Sequence, residues 1–394
     1  MNKKKEIVPK FRFPKYVNSE QWISTELSSL LDYERPDLYI VESDNYKNEG
    51  IPVLTANKSF ILGYTDEKNN IYSRVPVIIF DDFTTEKKYV DFPFKVKSSA
   101  IKILKPKGNN VLKFVFELMN TINFEAKEHK RYYISTYQKL FVYVPEDVKE
   151  QQKIADCLSS IDELIDAESR KLKALEKYKK GLMQKLFPAE GKTLPEWRFP
   201  EFKHCGNWEQ ATLTKVAFYE NGKAHENYIE EYGKYIVVNS KFIATDGEAT
   251  KHSNTANLLA KRGDILMVLS DVPNGRALAK CYFVDENDKY TVNQRICRLR
   301  PYDIDSLFLF YYVNRNKYFL DFDDGVKQTN LKKSDVLACP LLKPKEKREQ
   351  QKIADCLSEI DTMITEQLKK IERLETHKKG LLQGLFPSLE EVDV

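Results

Sequence analysis

Two stretches of the chain place apolar residues at alternating steps of four and three. In the first, Ile154, Leu158, Ile161, Ile165, Glu168, Leu172, Leu175, Lys179, Leu182 and Leu186 share one stripe. In the second, Ile353, Leu357, Ile360, Ile364, Gln367, Ile371, Leu374, Lys378, Leu381 and Leu385 do the same. Sustained over about four heptads, that spacing predicts coiled-coil helices rather than isolated surface helices. Each helix is expected to stop at Leu-Phe-Pro (Leu186 to Pro188, Leu385 to Pro387), because proline disfavours helix at the preceding residue. Roughly thirty helical residues at 1.5 Å each make a spacer about 50 Å long.

The two stretches are copies. Residues 150–188 and 349–387 agree at 24 of 39 positions, far beyond chance, beginning with a shared Glu-Gln-Gln-Lys-Ile-Ala-Asp-Cys-Leu-Ser. A shorter lead-in motif precedes each copy, 186 residues apart. Val8-Pro9-Lys10-Phe11-Arg12-Phe13-Pro14 answers Leu194-Pro195-Glu196-Trp197-Arg198-Phe199-Pro200, and Trp22 answers Trp208. Between these anchors little similarity remains, so a repeated frame surrounds dissimilar contents.

Polar seam residues fall at matching places, 168 and 179 against 367 and 378. An antiparallel pairing whose residue numbers sum to 546 sets Glu168 against Lys378 and Lys179 against Gln367. It also sets Ile161 on Leu385, Ile165 on Leu381, Leu172 on Leu374, Leu175 on Ile371, Leu182 on Ile364 and Leu186 on Ile360. A parallel homodimer would instead oppose Lys179 to itself, a like-charge clash.

The intervening regions alternate with period two and read as α+β. Expected strands are Ile51 to Leu54, Val75 to Phe80, Tyr89 to Val96 and Ala100 to Leu104, followed by a helix from Val111 to Thr121. The second region repeats the theme at Tyr235 to Asn239, Asp264 to Val268, Ala277 to Phe283 and Arg295 to Leu299, then a helix from Ser306 to Asn314. The expected layout is a pseudo-two-fold repeat with two α/β domains separated by two long helices that form an antiparallel coiled coil. Its boundaries are 1–148 for the first domain with its lead-in, 149–188 for the first helix, 189–347 for the second domain, 348–387 for the second helix and 388–394 for a tail.

Composition narrows the function classes. The chain has 394 residues and 31% charged residues, but 63 basic against 59 acidic groups leave only +4, so any nucleic-acid role needs local basic surfaces. No apolar run approaches the roughly 18 residues of a membrane span, and Met1 to Glu6 reads as a solvated tail with no secretory core behind it. Six cysteines without a Cys-x-x-Cys pair argue against a zinc ribbon or a disulfide framework. A soluble, cytoplasmic protein without a membrane partner is the expectation.

Local basic runs do occur. Residues 87–107 hold Lys87, Lys88, Lys95, Lys97, Lys102, Lys105 and Lys107 against Asp91 alone, and residues 261–300 hold eight Lys and Arg against five acids. Among them lie side chains that suit phosphates or base edges. They are Thr84, Thr85, Lys87, Lys88, Lys95, Lys97 and Ser98 in the first region, and Asn274, Arg276, Lys280, Gln294 and Arg295 in the second. Each run alone also suits a solvated strand face; paired in corresponding parts of two dissimilar heads, they favour nucleic acid.

Catalytic constellations are wanting. There is no G-x-x-x-x-G-K-[ST] loop and no G-x-G-x-x-G. A nuclease reading of Pro36-Asp37 with Asp66-Glu67-Lys68 or Glu86-Lys87-Lys88, a metal at Asp81-Asp82 or Asp323-Asp324, and a His204–Cys205 dyad each lack the further partners their chemistry needs. The sequence therefore predicts no catalytic residues and no metal.

The frame resembles the specificity subunit of type I restriction-modification systems. The residues behind the resemblance are the paired helices at 150 and 349 with their Lys-Lys-Gly-Leu and Leu-Phe-Pro ends, and the Phe-Arg-Phe-Pro and Trp-Arg-Phe-Pro lead-ins. Ile78 to Lys88 looks like one head type of that family, and Gly263 to Met267 with Asn293-Gln294-Arg295 is similar to another. The resemblance covers essentially the whole chain. It implies that each head reads half of a bipartite target in double-stranded DNA, and that the coiled coil sets the unread gap and scaffolds two modification and two restriction subunits. S-adenosylmethionine, ATP and magnesium would then belong to those partners, with no cofactor in this chain. The alternatives are a coiled-coil adaptor that binds protein rather than DNA, and a nuclease fused to a recognition frame.

Overall fold

A computed structural model describes residues 7–57, 59–128 and 130–387; the tails expected at 1–6 and 388–394 lie outside the described residues. The chain divides into two compact units, one running to Arg170 and resuming at Leu368, the other Lys171–Gln367. The division falls inside the long helices, so each unit holds one sheet assembly and half of each helix.

Unit one contains β1 (Ile23–Glu26), β2 (Leu31–Glu34), β3 (Ile51–Leu54), β4 (Ile61–Thr65), β5 (Val77–Asp81), β6 (Lys87–Val90), β7 (Lys95–Val96), β8 (Ile101–Pro106), α1 (Leu112–Thr121), β9 (Phe141–Val144) and the first half of α2 (Val148–Leu186). Its strands form a four-stranded sheet β2–β8–β5–β6, a three-stranded sheet β4–β3–β7 and the pair β1–β9. Period-two alternation sorts the core residues of β5. Ile78 and Phe80 pack with Phe114, Val115 and Leu118 of α1, while Val77 and Ile79 pack with Leu54 and Val96 of the smaller sheet.

Unit two contains β10 (Glu209–Thr212), β11 (Ala217–Asn221), β12 (Tyr235–Val238), α3 (Ser240–Ala244), β13 (His252–Ser253), β14 (Ile265–Val268), β15 (Ser270–Asp271), β16 (Cys281–Phe283), β17 (Tyr290–Val292) and β18 (Ile296–Pro301). It continues with α4 (Ser306–Val313), α5 (Lys317–Leu320), β19 (Thr329–Asn330), α6 (Lys333–Leu337), β20 (Pro340–Lys343) and the first part of α7 (Lys347–Leu385). Its sheets β11–β18–β14–β16 and β13–β12–β17 repeat the unit-one order strand for strand, including one parallel pair in each smaller sheet, β3 with β7 and β12 with β17. The dissimilar contents of the frame therefore share one topology.

Two predicted strands differ from the structure. The stretch from Tyr89 to Val96 is not continuous: β6 ends at Val90 in the large sheet and β7 starts at Lys95 in the small one. Pro93, with no N–H for a ladder, sits in the break. The stretch from Ala277 to Phe283 is strand only from Cys281, because Ala277 and Leu278 donate their N–H groups to the Asp271 carboxylate and Ala279 is left-handed (φ +54°).

The repeated motifs tie each long helix to its head. Arg12 donates twice to Glu150 at 2.8 Å, and Trp22 Nε1 adds a longer bond to the same carboxylate. Arg198 and Trp208 treat Glu349 identically, with guanidinium bonds of 2.6 Å. The next residue caps the head helix. Gln151 accepts from Val111 N–H and donates to Pro145 O, and Gln350 accepts from Asp305 N–H and donates to Pro344 O. Glu349 is wholly buried and Glu150 nearly so, which explains why the Glu-Gln-Gln step and the lead-in arginine recur together.

The seam stripe is the less exposed face of both helices, with Ile161, Ile165, Leu172, Leu175 and Leu182 half-buried and Ile360 and Gln367 buried. The pairing is antiparallel, but its register differs from the 546 sum. In unit one Lys378 bonds Asp162 (2.6 Å) and Lys370 bonds Glu168 (2.5 Å), while Ile154 and Leu158 share a core with Leu381 and Leu385. In unit two Lys179 bonds Asp361 (2.5 Å), and Leu182 and Leu186 share a core with Ile353 and Leu357. The residue numbers of these ion pairs sum to 538–540, about one heptad from the expected register. A slip of seven leaves every stripe residue on the seam, so periodicity could not separate the two registers. The heads decide it. Buried Glu117 of α1 and Lys113 meet the Lys378–Asp162 pair, Tyr311 of α4 bonds Asp361 (2.7 Å), and Phe386 packs between Trp22 and Phe114.

Candidate nucleic-acid interface

Two connections in each unit gather most of the side chains singled out from the sequence. In unit one they join β5 to β6 and β7 to β8; in unit two the topological equivalents join β14 to β16 and β17 to β18. One backbone hydrogen bond links the pair in each unit: Asp82 N–H donates to Ala100 O and Leu269 N–H to Arg295 O, both 2.8 Å. Thr84, Thr85 and Ser98 thus come to one end of the unit-one sheet, and Asn274, Arg276, Gln294 and Arg295 to the corresponding end of unit two. Thr85 (φ +60°) and Arg295 (φ +68°) are left-handed, a conformation costing a non-glycine residue about 1–2 kcal/mol that the surrounding bonds must offset.

In unit one the β5–β6 turn is rigid. The Asp81 carboxylate accepts from the N–H groups of Phe83 (3.0 Å) and Thr84 (2.9 Å). Buried Asp82 pairs with Lys102 (3.0 Å) and accepts from Tyr133 N–H (2.8 Å). The Asp81 and Asp82 carboxylates are thus engaged with backbone and lysine, and among the described residues no group of three or more His, Cys, Asp or Glu gathers to hold a metal. Thr84 is exposed and donates to Asn57 Oδ1 (3.1 Å), and the Arg131 guanidinium lies over the Phe83 ring at 5.8 Å. Thr85 is buried and offers chiefly its backbone. Lys87 and Lys88 are half-buried on β6, and burial pushes the Lys87 ammonium below its usual range.

Lys95 and Lys97 do not belong with them. Lys95 is 1% exposed, paired with Glu67 (2.6 Å) and donating to Asn69 O (3.1 Å). It presents no charge to a ligand: the strand places it inside, where a lysine is tolerated only with partners. Lys97 is half-buried, paired with Asp44 and lying over Tyr46. Ser98 shapes its own loop, its hydroxyl accepting from Ala100 N–H at 3.4 Å.

In unit two the β14–β16 connection projects further and is braced by a second loop. Asn274 N–H donates to Asp323 (3.0 Å) and its amide to Gly325 O (3.3 Å), while Asp324 accepts from Val326 and Lys327 N–H groups. A Cβ on Gly275 would lie 2.1 Å from the Asp271 carboxylate, so a larger residue would have to displace the side chain that accepts from Ala277 and Leu278. The brace leaves Val272, Arg276 and Val326 exposed at the tips, and Arg276 forms no ion pair among the described residues. Lys280 is occupied by Asp246 (2.8 Å) and Ala244 O (3.0 Å). Gln294 and Arg295 are exposed, with the Gln294 amide donating to Glu226 (2.6 Å).

Nothing in the sequence marks Asn57, Arg131 or Glu226 for this site, and Asp323-Asp324 reads there only as an acid pair. Asn57, Glu226 and the 323–328 segment reach the site through tertiary hydrogen bonds, and Arg131 through its contact with the Phe83 ring.

Residues 19–177 and 206–376 match the family described as Type I restriction modification DNA specificity domain. The chain belongs to this family. The two matched segments each span one head and most of the helix that follows, so the family's unit is the internal repeat. Over 254 residues the chain is 35% identical to the type I restriction enzyme EcoR124I/EcoR124II specificity subunit of Escherichia coli, covering 60% of this chain and 61% of that protein. Over 260 residues it is 25% identical to the MjaVIII specificity subunit of Methanocaldococcus jannaschii, covering 61% and 60%. The chain thus spans about three-fifths of the curated relatives it matches. By fold it is similar to the type I restriction-modification S subunit from M. genitalium, with TM-score 0.65 at 18% identity over 97% of this chain and 100% of that one. A chain from a type I R-M system structure, described by its complex assembly and conformational transition, aligns with TM-score 0.54 at 14% identity over 93% and 98%. No helix among the described residues of this specificity-domain protein is long and apolar enough to cross a membrane.

Proposed function

We propose that this protein is the DNA sequence-recognition subunit of a type I restriction-modification complex, each unit reading one half of a bipartite target. The observation that carries this reading is the contrast inside the repeat. The frame of Arg–Glu clasps and Gln caps is held constant, whereas the matching connections of the two sheets present different side chains. A binding surface meant to read two different sequences needs that division. Arg276, Arg295, Lys87 and Lys88 supply charge for phosphates, and Thr84, Asn274 and Gln294 supply polar groups for base edges.

The outer faces of α2 and α7 scaffold two modification subunits and, through them, two restriction subunits. Exposed Leu164 and Met363 occupy equivalent positions of the repeat and suit that contact. S-adenosylmethionine, ATP and magnesium reside on those partners, and the assembly works on cytoplasmic DNA. The chain itself recognises and positions; the methyltransferase flips the target adenine.

The test is coexpression with the adjacent modification subunit, followed by sequencing of host DNA with a method that detects methyladenine. A two-part motif with a fixed gap, absent without this chain, is the expected result. Co-purification of the proteins with duplex binding insensitive to salt would instead point to a protein adaptor.

A further inference from the structure

Glu226 is an exposed acid bonded to the Gln294 amide, and the structure holds it there from two sides. From below, His225 is fully buried. Its Nδ1 donates to Lys223 O (2.7 Å), its Nε2 lies 2.9 Å from the Thr291 hydroxyl, and its backbone N–H donates to the Asn293 side chain (3.1 Å). Gly222 and Lys223 add backbone bonds to Ile296 O and Val292 O, and a Cβ on Gly222 would fall 2.0 Å from Asn293 O. The segment before Glu226 is therefore clamped onto the β17–β18 connection. From the side, Gln294 donates to Glu226 Oε1 at 2.6 Å. The carboxyl is held below its usual range, first by its own backbone N–H and then by Gln294 and Asn293, so it stays ionised at neutral pH. A carboxylate accepts at both oxygens, and the bond from Gln294 leaves further acceptor positions on this exposed side chain.

Phosphates repel a fixed anion, so Glu226 weakens any sequence-independent grip on DNA. An acceptor beside the Gln294 amide has a complementary use against a base edge. We infer that Glu226 is a base-reading acceptor of unit two, taking the exocyclic amino group of one base, cytosine N4 or adenine N6, in the major groove. His225 is its positioning residue. This rests on the DNA-reading role proposed above and specifies the chemistry of that site.

The test uses the full chain in complex with its modification subunit, once the methylated motif is known. In duplexes, each cytosine of a half-site is replaced by 2-pyrimidinone and each adenine by purine, deleting the amino group alone. The wild-type complex is expected to lose about fivefold or more in affinity at one position of one half-site, in line with a single base contact. Glu226→Gln keeps an acceptor for Gln294 but turns an amide N–H₂ outward. It should lose less than about twofold from that same deletion and accept a carbonyl-bearing base there, while the other half-site reads unchanged. A cytosine or an adenine at the responding position identifies which amino group is taken. Thr291→Val, nearly isosteric, should blunt the same position through His225. If amino deletion costs wild type and Glu226→Gln equally at every position, the inference fails. A Gln294→Ala/Arg295→Ala variant separates that failure from a deeper one: a motif that survives both substitutions means this connection does not face DNA, and the site assignment falls with it.

Discussion

At the scale of single residues, burial rather than composition separates the lysines and arginines of the two heads. Lys95 and Arg276 look alike in sequence, each a cation in a basic run. One lies inside a sheet on Glu67, the other at an exposed loop tip. Lys95→Ala should lower the melting temperature and leave the salt slope of DNA affinity unchanged. Arg276→Ala should leave the melting temperature within error and reduce that slope by about one unit, as loss of one phosphate contact requires. The lead-in arginines give a second contrast. In Glu349→Ala, Arg198 is left buried without its carboxylate, a change expected to cost about 3–5 kcal/mol in the unfolding of its unit. Chemical denaturation measures that loss. The functional acid Glu226 was illegible because its role depends on His225, Gln294 and Asn293, which lie up to 68 residues away.

Among the elements, the long helices show how far periodicity reaches. Which residues face the seam was legible, because a 3.5-residue repeat fixes a stripe; which heptad meets which was not. The observed register predicts that Lys378→Glu destabilises unit one and that adding Asp162→Lys recovers part of the loss. Adding Glu168→Lys instead recovers none. A double-mutant cycle in urea reads the difference, with a coupling of about 1–2 kcal/mol expected for a half-buried charged hydrogen bond. The same pair responds to pH. Burial of Asp162 opposes its ionisation, but Lys378 and Lys113 outweigh burial and hold its folded pKa below the usual value. A depressed acid contributes stability above its unfolded pKa, about 3.9, and loses it as pH falls through the folded value. Asp162→Asn should therefore lower stability at pH 7 and make progressively less difference as pH falls below about 3.9, checked by denaturation across that window. The strands show the opposite limit. Tyr89 to Val96 has a continuous strand pattern, yet Pro93 and the competition between two sheets divide it.

For the whole molecule, the internal repeat carries the functional argument. Each unit takes its own lead-in, its own sheets and complementary halves of the two long helices, and is closed by the same Arg–Glu–Trp clasp. Replacing residues 17–148 with the corresponding segment of another family member should change one half of the methylated motif and leave the gap and the other half intact. Sequencing of host DNA reads this directly; a change in both halves would show that the heads do not read independently.

The sequence by itself determined the duplicated frame, the α+β character of the heads, the seam face of the helices and the membership implied by their motifs. All of these follow from local periodicity or from long runs of identical residues. Tertiary structure alone decided the helix register, the common topology of two heads that share almost no sequence, and the four connections at which the candidate side chains meet. Those outcomes depend on which groups find partners far along the chain: Glu117 with Lys378 across 261 residues, Tyr311 with Asp361 across 50, His225 with Asn293 across 68. A buried polar atom must be satisfied by whatever the fold brings to it, and spacing along the chain does not say what that will be.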